Sequence, residues 1–153
     1  MLDRLGKYWL PVVLWMAVIF SASTGLGAPS HTSRFFRPIL HWLFPRITTE
    51  QFDQIHYLVR KAAHFTEYTI LGILAWRLVH FDPVFAAFSF RKQCWFALLL
   101  CLLYASSDEF HQKFVPNREP TIHDVAIDTS GAGFGVLLSL GFRRWRFALQ
   151  KSP

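Results

Sequence analysis

Residues Cys94 to Ser107 read CWFALLLCLLYASS, a run without a single charge. A helix at a water-facing surface keeps a polar stripe opposite its apolar one, whereas this stretch is apolar around its whole circumference as far as Ser106. A helix of that kind lies in a large protein core or in lipid. Three more stretches resemble it. Tyr8 to Ser23 (YWLPVVLWMAVIFSAS) carries no charge and follows Arg4 and Lys7. Ala62 to Phe81 holds His64, Glu67 and Arg77, and Val125 to Phe142 is interrupted only by Asp128. Four such stretches in succession leave too little polar face for the competing reading, a soluble all-helical core. None alone is the clean run of about 18 residues that would settle a crossing.

The expectation is therefore an all-α, polytopic membrane helical bundle in one domain over residues 1–153, with spans at about 8–24, 62–81, 92–107 and 125–142. Composition agrees. The chain is 52% hydrophobic and 17% charged, against about 25% charged for an average soluble domain, which excludes disorder. A mean hydropathy of only +0.26 requires the apolar residues to be concentrated rather than spread.

Lys and Arg bias cytoplasmic loops, which orients the chain. With a cytoplasmic amino terminus, that side holds Arg4, Lys7, Arg91, Lys92, Arg143, Arg144, Arg146 and Lys151. On the opposite side the cations are mixed with Glu50, Asp53, Asp108, Glu109, Glu119 and Asp124. Both termini are thus expected in the cytoplasm, and the net charge of +6 needs no nucleic-acid partner. A rival reading makes the first stretch a cleaved signal peptide, with Ser21, Ala22 and Ser23 resembling its cleavage site. It would leave three spans and put the basic carboxyl terminus outside. Cys94 and Cys101, seven residues apart on one helix, read as small apolar fillers.

The first external connection, His31 to Ile47 (HTSRFFRPILHWLFPRI), interleaves aromatic residues with Arg34, Arg37, His41 and Arg46, which suits an amphipathic segment in the lipid interface. Thr48 and Gln51 then have the spacing of a capping box, and Phe52, Ile55 and Val59 continue one face toward the second span.

The residues able to do chemistry fall at one depth. Lys61, His64 and Glu67 recur every three positions. Asp108, Glu109, His111 and Gln112 end the third stretch, and Asp124 and Asp128, four apart, begin the fourth with His123 beside them. A charge at span depth costs roughly 2.5 to 3.5 kcal/mol, so such groups face a partner or a cavity. Each also has a structural reading, with Glu67 pairing to His64 or Lys61 and Asp128 hydrogen-bonding with Thr129 and Ser130. Gly131 and Gly135, one turn beyond Asp128, permit close helix packing.

These residues carry a resemblance. Arg60-Lys61-Ala62-Ala63-His64-Phe65-Thr66-Glu67-Tyr68 with Leu71-Gly72 resembles the first signature of the VanZ-like membrane protein family. Tyr104 to Gln112, Phe114 to Arg118 and Asp124 to Gly131 resemble its second, and Phe20 to Ser23 also match. Asn117 stands where the family often has Gly before the Arg. The resemblance implies a small bacterial cell-membrane protein of about four helices, in a family named for a member associated with reduced susceptibility to the glycopeptide antibiotic teicoplanin.

Physically the cluster suits two jobs. In one, an enzyme acts on a phospholipid headgroup or lipid-linked cell-wall precursor, with Arg118 and Lys61 holding phosphate and one of His64, Glu67, Asp108 or His111 moving a proton. Asp124 and Asp128 belong to the same acid-base set, with Glu109 and Gln112 among the binding residues. In the other, the cluster binds such a lipid without turnover. No metal motif of strong specificity is present, and neither a cofactor nor an oligomeric state is written in a readable motif. Transport is the weaker class, because Arg77 is the sole charge in the inner half of the spans.

Overall fold

The computed structural model describes residues 2–25, 28–116, 118 and 121–151, and these are helical nearly throughout. Asn117 and Glu119, singled out from the sequence, lie outside the described residues. After a short amino-terminal turn the backbone is wound wide at Leu5–Trp9, with the Leu10 N–H donating to the Leu5 carbonyl. Six helices follow: α1 (Leu10–Ser23), α2 (Pro29–Leu43), α3 (Thr49–Phe81), the single turn α4 (Pro83–Ala86), α5 (Phe90–Gln112) and α6 (Ile122–Lys151).

The capping box at the start of α3 forms as its spacing predicts. The Gln51 N–H donates to Thr48 Oγ1 and the Thr48 N–H to Gln51 Oε1. From there α3 runs unbroken for 33 residues, about 50 Å. Helices α3, α5 and α6 all overrun the apolar stretches that announced them, because their polar flanks continue the helix instead of ending it. Among the described residues, two helices are by length and apolar content able to cross a membrane, Leu5–Ser23 and Ile122–Trp145. Helices α3 and α5 have the length but carry the charged residues named above.

α3 is the central element, packed most extensively on α6, with α5 against both. Tyr68, Leu71, Ala75, Leu78 and Val79 form its buried stripe, at the three- and four-residue spacing of one helix face. Opposite stand Ala97, Cys101 and Ala105 of α5 and Ala132 and Val136 of α6, and Val12 and Ile19 bring in α1. Small residues on α5 and α6 let the backbones approach. The closest approach uses glycine from both sides: a Cβ on Gly135 would lie 2.1 Å from the Thr69 carbonyl oxygen, one on Gly131 2.4 Å from that of Phe65, and one on Gly72 2.3 Å from that of Ala132.

Outside this core the helices are ringed by exposed apolar residues. Val13 and Leu14 of α1, Trp95 and Leu103 of α5 and Leu137 of α6 are all more than half exposed. An exposed apolar belt of this kind marks a surface that meets something other than water. α2, joined loosely to α3, has three faces. Leu40 is buried, Phe35, Ile39 and Trp42 point outward, and Arg34, Arg37 and His41 line a shallow depression.

The two ends of the bundle are tied differently. At one end Asp82 is fully buried, accepting hydrogen bonds from Trp9 Nε1 and the Val84 N–H and pairing with Arg4. Burial alone would raise its pKa, but those hydrogen bonds and the arginine together hold the carboxyl below its ordinary value. Nearby, His80 lies between Gln93 and Arg143. The opposite end holds the polar cluster.

Candidate functional site

At this second end α3, α5, α6 and the connection between α5 and α6 surround a cavity of about 1240 Å³, lined among others by Arg60, Lys61, His64, Gln112, Arg118 and Asp124. A smaller cavity of about 180 Å³ adjoins it, sharing Arg60, His64 and Arg118 and adding Ser23, Thr32 and Glu67. The spacing on α3 thus does what its periodicity promises for His64 and Glu67, which open onto one space.

Lys61 is engaged elsewhere. Its ammonium pairs with Asp124 on α6, both groups being largely buried. The cations left facing the small cavity are Arg60 and Arg118. Arg118 Nη2 donates to the Ala22 carbonyl at 2.7 Å, and its buried Nε has no partner. Neither arginine lies within salt-bridge distance of a carboxylate among the described residues. Burial, and then the nearby Arg60 charge, hold the Arg118 guanidinium below its ordinary pKa. Asp108, Glu109 and Glu67 pull the Arg118 pKa the other way without reaching salt-bridge distance, so the repulsion between the two guanidinium groups is only partly offset and a bound oxyanion would offset the rest.

Behind the cavity wall lie the carboxylates. Asp128 has no exposed surface, and its Oδ1 faces His64 Nδ1 at 3.4 Å. Neither of its oxygens has a hydrogen bond. Thr129 and Ser130 do not supply one: Ser130 Oγ donates to the Ile127 carbonyl, and Thr129 Oγ1 is itself unpartnered. Asp108 accepts from Ser23 Oγ at 2.7 Å and from Gln112 Nε2 at 3.1 Å, which ties α1 to α5. Glu109 accepts the Thr121 N–H at 3.0 Å. His111 stands apart from the cavity, its ring 4.6 Å from that of Phe20. Of the residues singled out from sequence, Lys61, His64, Gln112, Arg118 and Asp124 therefore line the large cavity, and Glu67 joins His64 and Arg118 at the small one. Asp108, Glu109 and Asp128 support the wall. Among the described residues no group of three or more His, Cys, Asp or Glu is placed to hold a metal ion.

Glu109 gives this region a measurable response to pH. Burial first, and then the Asp124 charge, push its carboxyl from an ordinary 4.5 up to about 7, although the Thr121 N–H pulls the other way. The folded chain therefore holds this proton more tightly than the unfolded chain does. Its contribution to stability is present in full below the ordinary value and is lost as pH rises through about 7. The melting temperature of the purified protein should fall over that interval, and Glu109→Gln should flatten that part of the profile.

Two residues that the sequence places only in the family-like stretches, and not among the candidate site residues, complete the arrangement, Arg60 and Ser23. Compared with known families, the chain matches the family model described as VanZ/LLP1 over residues 8–143. No curated protein and no solved structure matches it.

Proposed function

The chain belongs to the VanZ/LLP1 family, and on that premise we propose that its cavity receives the phosphate of a lipid, either a phospholipid headgroup or a lipid-linked cell-wall precursor. Family membership and the two apolar helices point to a membrane-associated envelope protein. The finer reading is a four-span protein of the bacterial cell membrane, crossing at about 8–24, 62–81, 92–107 and 125–142. The exposed apolar residues of α1, α5 and α6 favour it. Lys and Arg around the spans favour cytoplasmic termini, which puts the cavity at the outer face. The outward Phe35, Ile39 and Trp42 of α2 then dip into lipid while Arg34 and Arg37 stay among the headgroups.

The observation that carries the ligand class is the pair Arg60 and Arg118 beside one cavity with no carboxylate partner among the described residues. A hydrogen bond to a charged group contributes about 1.5–3 kcal/mol, so each arginine is worth at least tenfold in affinity. Purified protein titrated with a fluorescent polyprenyl diphosphate, and with phosphatidylglycerol against phosphatidylethanolamine nanodiscs, tests this. Arg60→Gln and Arg118→Gln should each weaken binding tenfold or more, with Lys61→Gln weakening it less. Unchanged affinity in the double arginine variant would remove the reading. The resistance that the family's name suggests is tested separately, by teicoplanin susceptibility of cells with and without the protein.

A further inference from the structure

Resting on that phosphate site, we propose that the cavity is catalytic, and that His64 and Glu67 hydrolyse the terminal phosphate of a lipid phosphomonoester or diphosphate. A purely structural ion pair would be sealed on both sides. Here Asp128 is sealed and His64 is not: the imidazole turns Nδ1 to the Asp128 carboxylate at 3.4 Å and lines both cavities. Its Nε2, on the far edge of the ring from Asp128, is the atom left to meet a ligand. A buried carboxylate whose nearest charged partner is one imidazole is costly, and the arrangement that recovers the cost is one that fixes the tautomer and orientation of a working histidine. Glu67, one turn further along α3, faces the same small cavity. Its volume of about 180 Å³, against about 30 Å³ per water in the liquid, holds a phosphate group with an attacking water and leaves the lipid tail outside.

The step balances without another reactant. Water transfers a proton to His64 Nε2 while its oxygen bonds to phosphorus. The bond from phosphorus to the lipid oxygen breaks, and that oxygen leaves with the proton of the Glu67 carboxyl. Arg60 and Arg118 hold the non-bridging oxygens, where negative charge lies throughout. The products are inorganic phosphate and the lipid with one phosphate fewer, and the proton on His64 returns to Glu67 through solvent. Asp128 touches no reacting atom. It is a positioning residue.

The test uses the full-length protein in phosphatidylcholine proteoliposomes, in magnesium-containing buffer, with phosphatidic acid and farnesyl diphosphate as probes. Release of inorganic phosphate is followed beside probe binding. We expect saturable release, and a loss of at least 100-fold in kcat for both His64→Gln and Glu67→Gln, with probe affinity kept within about threefold. Asp128→Asn should lower kcat and leave KM unchanged, since it disturbs the tautomer and not the phosphate contacts. If His64→Gln fails to fold, His64→Asn and Glu67→Gln carry the same comparison. Probe bound without any release above empty vesicles overturns the hydrolysis and leaves the phosphate site standing. Full kcat in the folded His64 or Glu67 variants overturns it equally, and absence of both binding and release brings down the two readings together.

Discussion

Gly135→Ala is expected to lower the melting temperature sharply. The new methyl would sit 2.1 Å from the Thr69 carbonyl oxygen and 3.1 Å from the Ile73 nitrogen, both backbone atoms of the facing helix. A side chain in that position swings aside at small cost, but backbone inside a 33-residue helix moves only if α3 and α6 separate. Overpacking of a tight core costs about 1–3 kcal/mol and occasionally more. Contact with backbone on a fixed helix puts this substitution at the top of that range, against a total stability of about 5–15 kcal/mol. Gly131→Ala, 2.4 Å from the Phe65 oxygen, should behave alike. Gly133 is the internal control, with nothing within 4 Å of its would-be Cβ. Gly133→Ala should be neutral or stabilising, since alanine is favoured over glycine by about 1 kcal/mol within a helix. Thermal unfolding followed by size-exclusion chromatography in detergent reads all three, and equal melting temperatures for Gly133→Ala and Gly135→Ala would show that the glycine contact is not what holds α6 to α3.

Lys61→Met should be clearly destabilising. It leaves Asp124, one-tenth exposed at its side chain, as a charge without its ammonium. Removing one member of a buried pair costs about 3–5 kcal/mol, and the partial wetting of this pair brings the figure to about 2–3. The double variant Lys61→Met/Asp124→Leu should recover most of the loss, because replacing both members with apolar groups is often neutral. A double variant no more stable than the single one would mean that Asp124 is held by other groups. The same pair separates two roles for Lys61. A stabilising lysine gives a double variant that still binds phosphate through Arg60 and Arg118, and a ligand-holding lysine does not.

The helical class was legible because charge-free runs such as Cys94 to Ser107 have no competing local interpretation. The capping box at Thr48 and the glycines of α6 were legible for a related reason, since each is a short-range pattern with one geometric meaning. The site was legible only in outline. Lys61, His64 and Glu67 at a spacing of three look like one face, but with about 100° per residue Arg60, His64 and Glu67 span an arc of only about 60°, centred on the small cavity. Lys61 is rotated out of it toward α6 and meets Asp124. By the same turn His111 departs from the face shared by Asp108 and Gln112 and packs at a tilt against Phe20. Ser23, the partner of Asp108 across 85 positions, has no periodicity that marks it as a site residue. Its role depends on which helices become neighbours, and periodicity within one helix does not encode that.

The polar end of the bundle also has a place in the order of synthesis. The amino-terminal helix leaves the ribosome first, yet Ser23 and the Ala22 carbonyl meet Asp108 and Arg118 only when α5 and the connection after it exist. The carboxylates opposite Lys61 and His64 come later still, on α6. A nascent chain ending before Asp124 therefore presents Lys61 and His64 without the carboxylates that pair with them in the finished fold. On the proposed four-span reading, α3 would be hardest to insert in that interval, and the arrival of the last helix would relieve it.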